Sequence, residues 1–570
     1  LGLPTRSVHG LPIIEHAEFG RNVPDEAMPD EDKMNLGKIY HMGKEEAAGL
    51  LLNRQAMASH TFITGSTGTG KSNAVYHLLD EITKNGQTTF LVVEPAKGEY
   101  KNVFGNCTDV QVFGTNPRET PLLRMNPFAF PENIHILEHI DRLVEIFNAC
   151  WPMYAAMPAV LKDAIERSYQ KVGWDLRNSE SEKGVFPTFF DLLDILPGVI
   201  EESHYSKDTQ SDYVGALCTR VKSLTNGIYG SVLCAEDALS DAEMFDQNVI
   251  VDLSRVGSME TKSLLMGILV MKLQEYRMCS SGMNSRLRHV TVLEEAHNLL
   301  RKTSAEQSQE GANLQGKSVE MLANAIAEMR TYGEGFIIAD QAPGLLDMSV
   351  IRNTNTKIIL RLPDEEDRKL VGKSAALKEA QIDELSKLPL GVAAVYQNEW
   401  PEAVLCKIEA YPMPENAVYH KPSKMPHEIN AEFVFGQLAV GKELEPLSSS
   451  EMEQLKLWLK RHETVLKPED SRYLERVFAG GELDVAKTRK AVFDFFGGIG
   501  TVVDYCAAAK KSLTPRKEFL EQLQGQYGLK AAAADWVLNS VISMGMSLNP
   551  DAKAVDNLRT NFEQQGGRVL

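Results

Sequence analysis

The feature that most constrains this chain is an unbroken phosphate-binding loop, Gly65-Ser66-Thr67-Gly68-Thr69-Gly70-Lys71-Ser72. It satisfies G-x-x-x-x-G-K-[ST], a pattern that works only between a strand and a helix. Both flanks are present: residues 60–64 read as a short buried strand, and Val75, Leu78, Leu79 and Ile82 recur at helical spacing after the loop. Glycines let successive N–H groups curl around phosphate oxygens, and the helix N-terminus adds positive potential. Lys71 is expected to reach the β/γ-phosphates of ATP, and the Ser72 hydroxyl to ligate Mg²⁺. A chance glycine turn is the alternative, and the strand–loop–helix context argues against it.

The rest of the chain alternates in the way such a loop requires. Buried strands are expected at 88–94 (TTFLVVE), 248–254 (NVIVDLS), 289–295 (HVTVLEE), 335–341 (GFIIADQ) and 356–362 (TKIILRL). A helix is expected at 261–276 and an amphipathic one at 318–332, with Val319, Leu322, Ile326 and Met329 on one face. Residues 302–317, rich in Ser, Gln, Glu and Gly, read as a mobile loop, and 392–397 with 402–408 as a β-hairpin. Buried strands alternating with helices predict a parallel sheet covered on both faces, with the hairpin at one edge.

The expected fold class is therefore α/β: a RecA-like P-loop NTPase core with a helical insertion and a small C-terminal all-α domain. Residues 1–45 form an entry segment, 46–132 and 246–410 the two parts of the core, and 133–245 the helical insertion, with a polar loop at 174–188. Residues 411–445 form a Pro-rich linker and 446–570 the helical domain. In that domain Ser450 with Glu453 spells a capping box, and Thr514-Pro515 and Asn549-Pro550 place a capping residue before Pro at the first helical position. The chain opens on Leu1-Gly2-Leu3-Pro4 without an initiator Met, which suggests part of a longer protein with a further N-terminal domain.

Composition narrows the class of function. A net charge of −18 argues against a uniformly basic nucleic-acid coat, while leaving room for a locally basic channel. The 7 cysteines are scattered without any C-x-x-C, which speaks for buried thiols in a reducing cytosol over a disulfide framework or zinc site. No apolar run approaches the length of a membrane span and no signal peptide is visible, so no membrane partner is expected.

The second half of an NTPase site is expected at Glu294-Glu295, where an apolar strand delivers two carboxylates beside the loop. The first is assigned to Mg²⁺ through water, and the second to orienting and polarising the attacking water. Gln341 ends the next strand, where an amide near the γ-phosphate senses hydrolysis; a satisfied turn residue is the plainer alternative. Glu94 also ends a strand, and two readings stay open for it: a group at the nucleotide edge or a simple turn.

The ordered series GSTGTGKS, VVEPAKGEY, VDLS, LEEAHNLL, EMRTYGEGF, ADQAP and NTNTKIILRL resembles the HerA/FtsK branch of P-loop ATPases, and within it HerA, over about residues 45–410. The resemblance implies a homo-hexameric ring with ATP between subunits, translocation of double-stranded DNA through the pore, and a separate nuclease or other effector, in DNA end processing or antiviral defence. It also implies an arginine donated by the neighbouring subunit, which falls on Arg330, with Arg361 and Arg352 as further candidates. The branch tends to carry another arginine just before the first strand, where this chain has Ser59-His60; Arg54 is the nearest substitute. Two rivals remain: a secretion-type ATPase pumping DNA or protein at a membrane, and a ring whose ATP binding assembles an effector without moving DNA.

Overall fold

Neighbouring residues of each central strand feed two different cores. Phe62, Leu91, Val93, Leu293, Phe336 and Ile338 pack into one hydrophobic cluster. Ile63, Phe90, Val92, Val290, Val292, Ile337 and Ala339 pack into another. Alternate side chains point to opposite faces of a strand, so the sheet is buried on both sides. The computed structural model describes residues 16–421 apart from 25–27, 155, 182–183, 204, 236–237, 304–311 and 414–416. Beyond 421 it describes Val434, Leu438, Met452, Leu455 and residues 468–569 apart from 479–480, 512–513, 528–530 and 550.

Eleven strands form the main sheet. In chain order they are β1 (Lys33–His41), β2 (Lys44–Asn53), β3 (Thr61–Thr64), β4 (Thr89–Glu94), β5 (Val110–Gly114), β6 (Asn248–Asp252), β7 (His289–Glu294), β8 (Glu334–Asp340), β9 (Thr356–Ile359), β10 (Val392–Gln397) and β11 (Val404–Ile408). The spatial order is β2-β1-β11-β10-β9-β3-β8-β7-β4-β6-β5. From β9 to β5 all pairings are parallel; from β9 to β2 they are antiparallel. On one face lies α1 (Lys71–Thr83), with Ala74, Val75, Leu78, Leu79 and Ile82 buried. On the other lies α2 (Met259–Ser280), whose Leu264, Leu265 and Ile268 share a core with the helices inserted between β5 and β6.

The structure corrects several expectations. The β10–β11 hairpin is not at the sheet edge, because β1 pairs with β11 and β2 closes that side. The boundary drawn at residue 45 thus cuts through β2, and the entry segment from Lys33 onward is sheet. Strand β5 went unread, although Val110-Gln111-Val112-Phe113-Gly114 carries the β-branched and aromatic residues strands favour. Residues 304–311 of the expected loop lie outside the described residues; from Ala312 the chain is already the helix α3 (Ala312–Glu328). Short strands Trp174–Asp175 and Glu180–Ser181 lie within the expected polar loop.

Part of the expected linker is fixed rather than free: the Asn102 and Asn106 side chains accept from the Tyr419 and His420 amides at 3.0 Å each. Contacts divide the chain near residue 421, and residues 422–570 belong, with 181–185, to a second unit. Its described helices bury Leu474, Phe478, Phe493, Val537, Leu538 and Phe562 in a core of their own. Thr514-Pro515 does open a helix there. The expected cap at Asn549 shifts to Asp551, whose carboxylate accepts from the Lys553 and Ala554 amides. The capping box at Ser450 and Glu453 lies outside the described residues. Among the described residues, no single helix is long and apolar enough to cross a membrane.

Candidate active site

Strand register decides which residues meet. Thr64 pairs with Asp340, Glu294 with Ala339, Leu293 with Val93, and Glu94 with Asp252. These strands are parallel, so the loop after β3 and the ends of β4, β6, β7 and β8 share one sheet edge. That edge is where open α/β sheets bind ligands.

The phosphate loop is held open by its glycines. Gly68 and Gly70 have φ of 75° and 108°, the left-handed region that L side chains avoid. At Gly65 a side chain would place its Cβ 2.7 Å from Leu360 Cβ. The loop is then tied down from outside: the Ser66 amide donates to the Arg361 carbonyl at 3.0 Å, and the Gly391 amide donates to the Thr69 carbonyl at 3.1 Å.

Lys71 begins α1, is buried, and brings its Nζ to 3.7 Å from Glu294 Oε2 and 3.5 Å from Glu295 Oε1. One ammonium thus lets two acids stand side by side. Burial pushes the Glu294 carboxyl above its ordinary range, opposed by Lys71 and by a 2.5 Å hydrogen bond from the Tyr100 hydroxyl. Glu295 has left the strand: its φ is 46°, and its carbonyl accepts from the Asn298 side-chain amide at 2.8 Å. A non-glycine residue in that conformation stores strain, a feature common at functional sites. Its Oε1 accepts from Gln341 Nε2 at 2.5 Å, and Gln341 Oε1 accepts from the Thr67 hydroxyl at 2.6 Å. The predicted base, the predicted sensor and the loop therefore form one chain of hydrogen bonds.

Sequence reasoning missed the second layer behind this chain. His297 Nδ1 lies 2.9 Å from Asp340 and 3.6 Å from Glu295 Oε2. Asp340 also accepts from the His297 and Ala342 amides, so it fixes both the turn after β7 and the turn after β8. The hydrogen bond to Asp340 raises the imidazole above its usual range. Tyr100 was likewise unassigned. The signals were an Asp directly before the strand-end Gln and a His two residues after the second Glu.

Glu94 answers to both readings, because it stands at the cleft and also ties the turn after its strand. It lines the same cleft as Lys71, Ser72, Glu294 and Glu295. Its carboxylate accepts from the Glu99 and Tyr100 amides at 2.7 and 3.1 Å, yet burial still pushes it up to about 7. An acid raised this way binds its proton more tightly folded than unfolded. Stability is therefore lost as pH rises from the ordinary carboxylate range through about 7. Glu94→Gln should make the melting temperature fall less between pH 5 and pH 8 than it does in the wild type. Equal pH slopes in the two proteins would contradict this placement.

The donors fit Mg²⁺: the Ser72 hydroxyl and the Glu294 carboxylate are hard oxygen ligands in one cleft, and this ion keeps several waters for the remaining positions.

The arginines separate cleanly. Arg54 is buried, with Nη1 donating to the Ile82 carbonyl and Nε to the Glu31 carbonyl at 3.3 Å, so it is structural and does not replace the arginine missing at Ser59-His60. Arg361 is exposed beside its own phosphate loop. Arg330 is exposed in a 3-10 turn, Met329–Tyr332, that precedes β8, whereas Gln341 follows it. Seven residues of strand separate the two, roughly 20 Å at the usual rise. Arg352 likewise precedes β9, at the edge away from the loop.

Residues 34–273 match the family described as the central domain of helicase HerA. A probable helicase of Methanocaldococcus jannaschii is 23% identical over 436 residues, 70% of this chain and 76% of that protein. The DNA double-strand break repair helicase HerA of Sulfolobus acidocaldarius is 26% identical over 393 residues, 66% of this chain and 69% of that protein. Among solved structures, VirB4 of Thermoanaerobacter pseudethanolicus superposes with a TM-score of 0.51 at 19% identity, covering 68% of this chain and 98% of that one. That likeness supports the RecA-like fold.

Proposed function

We propose that this chain, a HerA-like P-loop ATPase of the HerA/FtsK branch, is one subunit of a homo-hexameric ring that couples ATP hydrolysis to the movement of double-stranded DNA. What supports the ring is where Arg330, the arginine the resemblance implies, lies in the sheet. The loop, Glu294, Glu295 and Gln341 share one edge, while Arg330 sits at the other, out of reach of its own nucleotide. A neighbour stacked edge to edge would complete the site.

In this reading the loop amides hold the phosphates, and Lys71 balances charge on the β/γ groups. Glu295 orients and deprotonates the attacking water, and Gln341, bonded to both Glu295 and Thr67, reports the state of the γ-phosphate. Ser72 and Glu294 would hold Mg²⁺, which neutralises charge on the phosphate oxygens. His297 and Asp340 keep Glu295 turned toward the loop. DNA as the cargo is supported by relatives that are DNA double-strand break repair helicases; its duplex form, and a separate nuclease or other effector in DNA end processing or antiviral defence, rest on the resemblance of the motif series alone. No disulfide joins any of the seven cysteines, which suits a reducing cytosol.

The test is ATP turnover by the purified protein with and without linear duplex DNA. The expected result is stimulation that single-stranded DNA of equal length does not match. Turnover indifferent to DNA would favour a ring that only assembles an effector.

A further inference from the structure

His60 closes the 3-10 turn Gln55–Ser59, and only β3 separates it from Gly65 of the phosphate loop. Its backbone has φ of 66° and ψ of 153°, a conformation almost confined to glycine. Such strain clusters at functional sites and persists only where the surroundings fix the residue from several directions. Here they do. The His60 amide donates to the Met57 carbonyl at 3.0 Å, and the His60 carbonyl accepts from the Asn355 and Thr356 amides at 3.0 and 3.1 Å. The imidazole is buried, edge-on to the Phe336 ring with centroids 5.6 Å apart.

We propose that His60 is a positioning residue for Arg330: it seats the end of α3, so that the arginine is held where the neighbouring subunit's nucleotide meets it. The proposal rests on the ring reading and names what holds the donated arginine in place.

The imidazole has one available proton, and its place is fixed. Nδ1 accepts from the Phe336 amide at 3.1 Å, so it carries no proton. Burial pushes the imidazole down to about 4, and the charge of Arg330 acts in the same direction, against Glu334 and two carbonyls. The ring is therefore neutral near pH 7, with its proton on Nε2. That N–H is buried, and no hydrogen bond satisfies it among the described residues. The two carbonyls beside the ring are those of Ala327 and Ile326, in the last turn of α3. They are among the carbonyls that an α-helix leaves without full partners at its end. A donor in need of an acceptor thus lies under a helix end that offers acceptors. Arg330 stands in the 3-10 turn that follows directly, and this turn packs on the one that His60 closes. A shift of the ring would therefore move the helix end and the arginine with it.

The experiment measures ATP turnover in Mg²⁺ by His60→Asn, alone and in rings mixed with Glu295→Gln or with Arg330→Ala. Asn keeps an acceptor for the Phe336 amide and lacks the Nε2 donor; its melting temperature checks that the fold is kept. Turnover by His60→Asn should fall about 10²-fold, the cost of a misplacement of about 1 Å, with the affinity for ATP unchanged. Mixed with Glu295→Gln it should rise above that of His60→Asn alone, because an interface with Glu295 from one subunit and Arg330 from the other is whole. Mixed with Arg330→Ala it should not rise, because every arginine is then absent or misplaced. A rise with Arg330→Ala instead puts the effect of His60 in its own phosphate loop and overturns the proposal, as does wild-type turnover by His60→Asn. A rise with neither partner overturns it too, provided that Glu295→Gln mixed with Arg330→Ala recovers turnover. If that control stays inactive, the shared site itself is refuted, and the role of His60 falls with it. His60→Gln returns an N–H near the place of Nε2 and should turn over faster than His60→Asn; equal loss in the two overturns the role given to that N–H.

Discussion

Lys71→Ala will reduce ATP turnover to background and weaken nucleotide binding by about a hundredfold, within the 2–5 kcal/mol that losing one partner of a buried charge pair typically costs. The size of the effect follows from how few charges face the phosphates. Lys71 is 7% exposed, and its ammonium stands within 3.7 Å of both acids of the site. Removing it takes away the counter-charge of the β/γ-phosphates. It also leaves Glu294 and Glu295 adjacent and unbalanced, so Glu294, already raised by burial, is pushed further toward its neutral form. A protonated Glu294 is a poor ligand for Mg²⁺, so the variant loses the cation twice over. Turnover and the affinity for a fluorescent ATP analogue measure the two losses separately. Near-normal hydrolysis by this variant would contradict the assignment of the loop.

The fold was legible where one period ruled. Strands β3, β4 and β6 to β11 are short apolar runs bounded by turn residues, and the structure places them within a few residues of expectation. The hairpin β1–β2 was not legible, for a physical reason. Its outer strand reads Lys44-Glu45-Glu46-Ala47-Ala48-Gly49, an exposed edge with charges and small residues where an inner strand has Val and Ile. The proline-rich residues before it looked extended and hid the change.

The site was legible in its motifs and hidden in its supports. Lys71, Glu294, Glu295 and Gln341 converge as the spacing implied, because parallel strands in register must end together. Tyr100, His297 and Asp340 act through other side chains, and single letters at strand ends do not reveal which partner they will meet.

Arg330→Ala should fold and bind ATP yet hydrolyse it about 10³- to 10⁵-fold more slowly, the range an arginine supplied from a neighbour contributes to phosphoryl transfer. The position of Arg330 makes this a statement about two subunits. It follows Met329, the buried first residue of the 3-10 turn that continues from α3, and the left-handed Gly333 then turns the chain into β8. Its edge is anchored: Arg277 Nε donates to Glu334 at 2.9 Å, and the Thr291 hydroxyl donates to the same carboxylate at 2.8 Å, all in the buried interior. The side chain itself is exposed, at the end of β8 opposite the loop.

The account turns on the claim that one subunit cannot hydrolyse ATP alone, and mixing two dead variants tests it most directly. Glu295→Gln lacks the base and should be at least about 100-fold slow; Arg330→Ala lacks the donated charge. In a mixed ring, an interface that takes Glu295 from one subunit and Arg330 from the next is whole. Turnover measured across mixing ratios should therefore rise from near zero at both ends to a maximum between them. Mixed rings, verified by native mass, that stay inactive at every ratio would contradict the shared site and place the action of Arg330 within its own subunit.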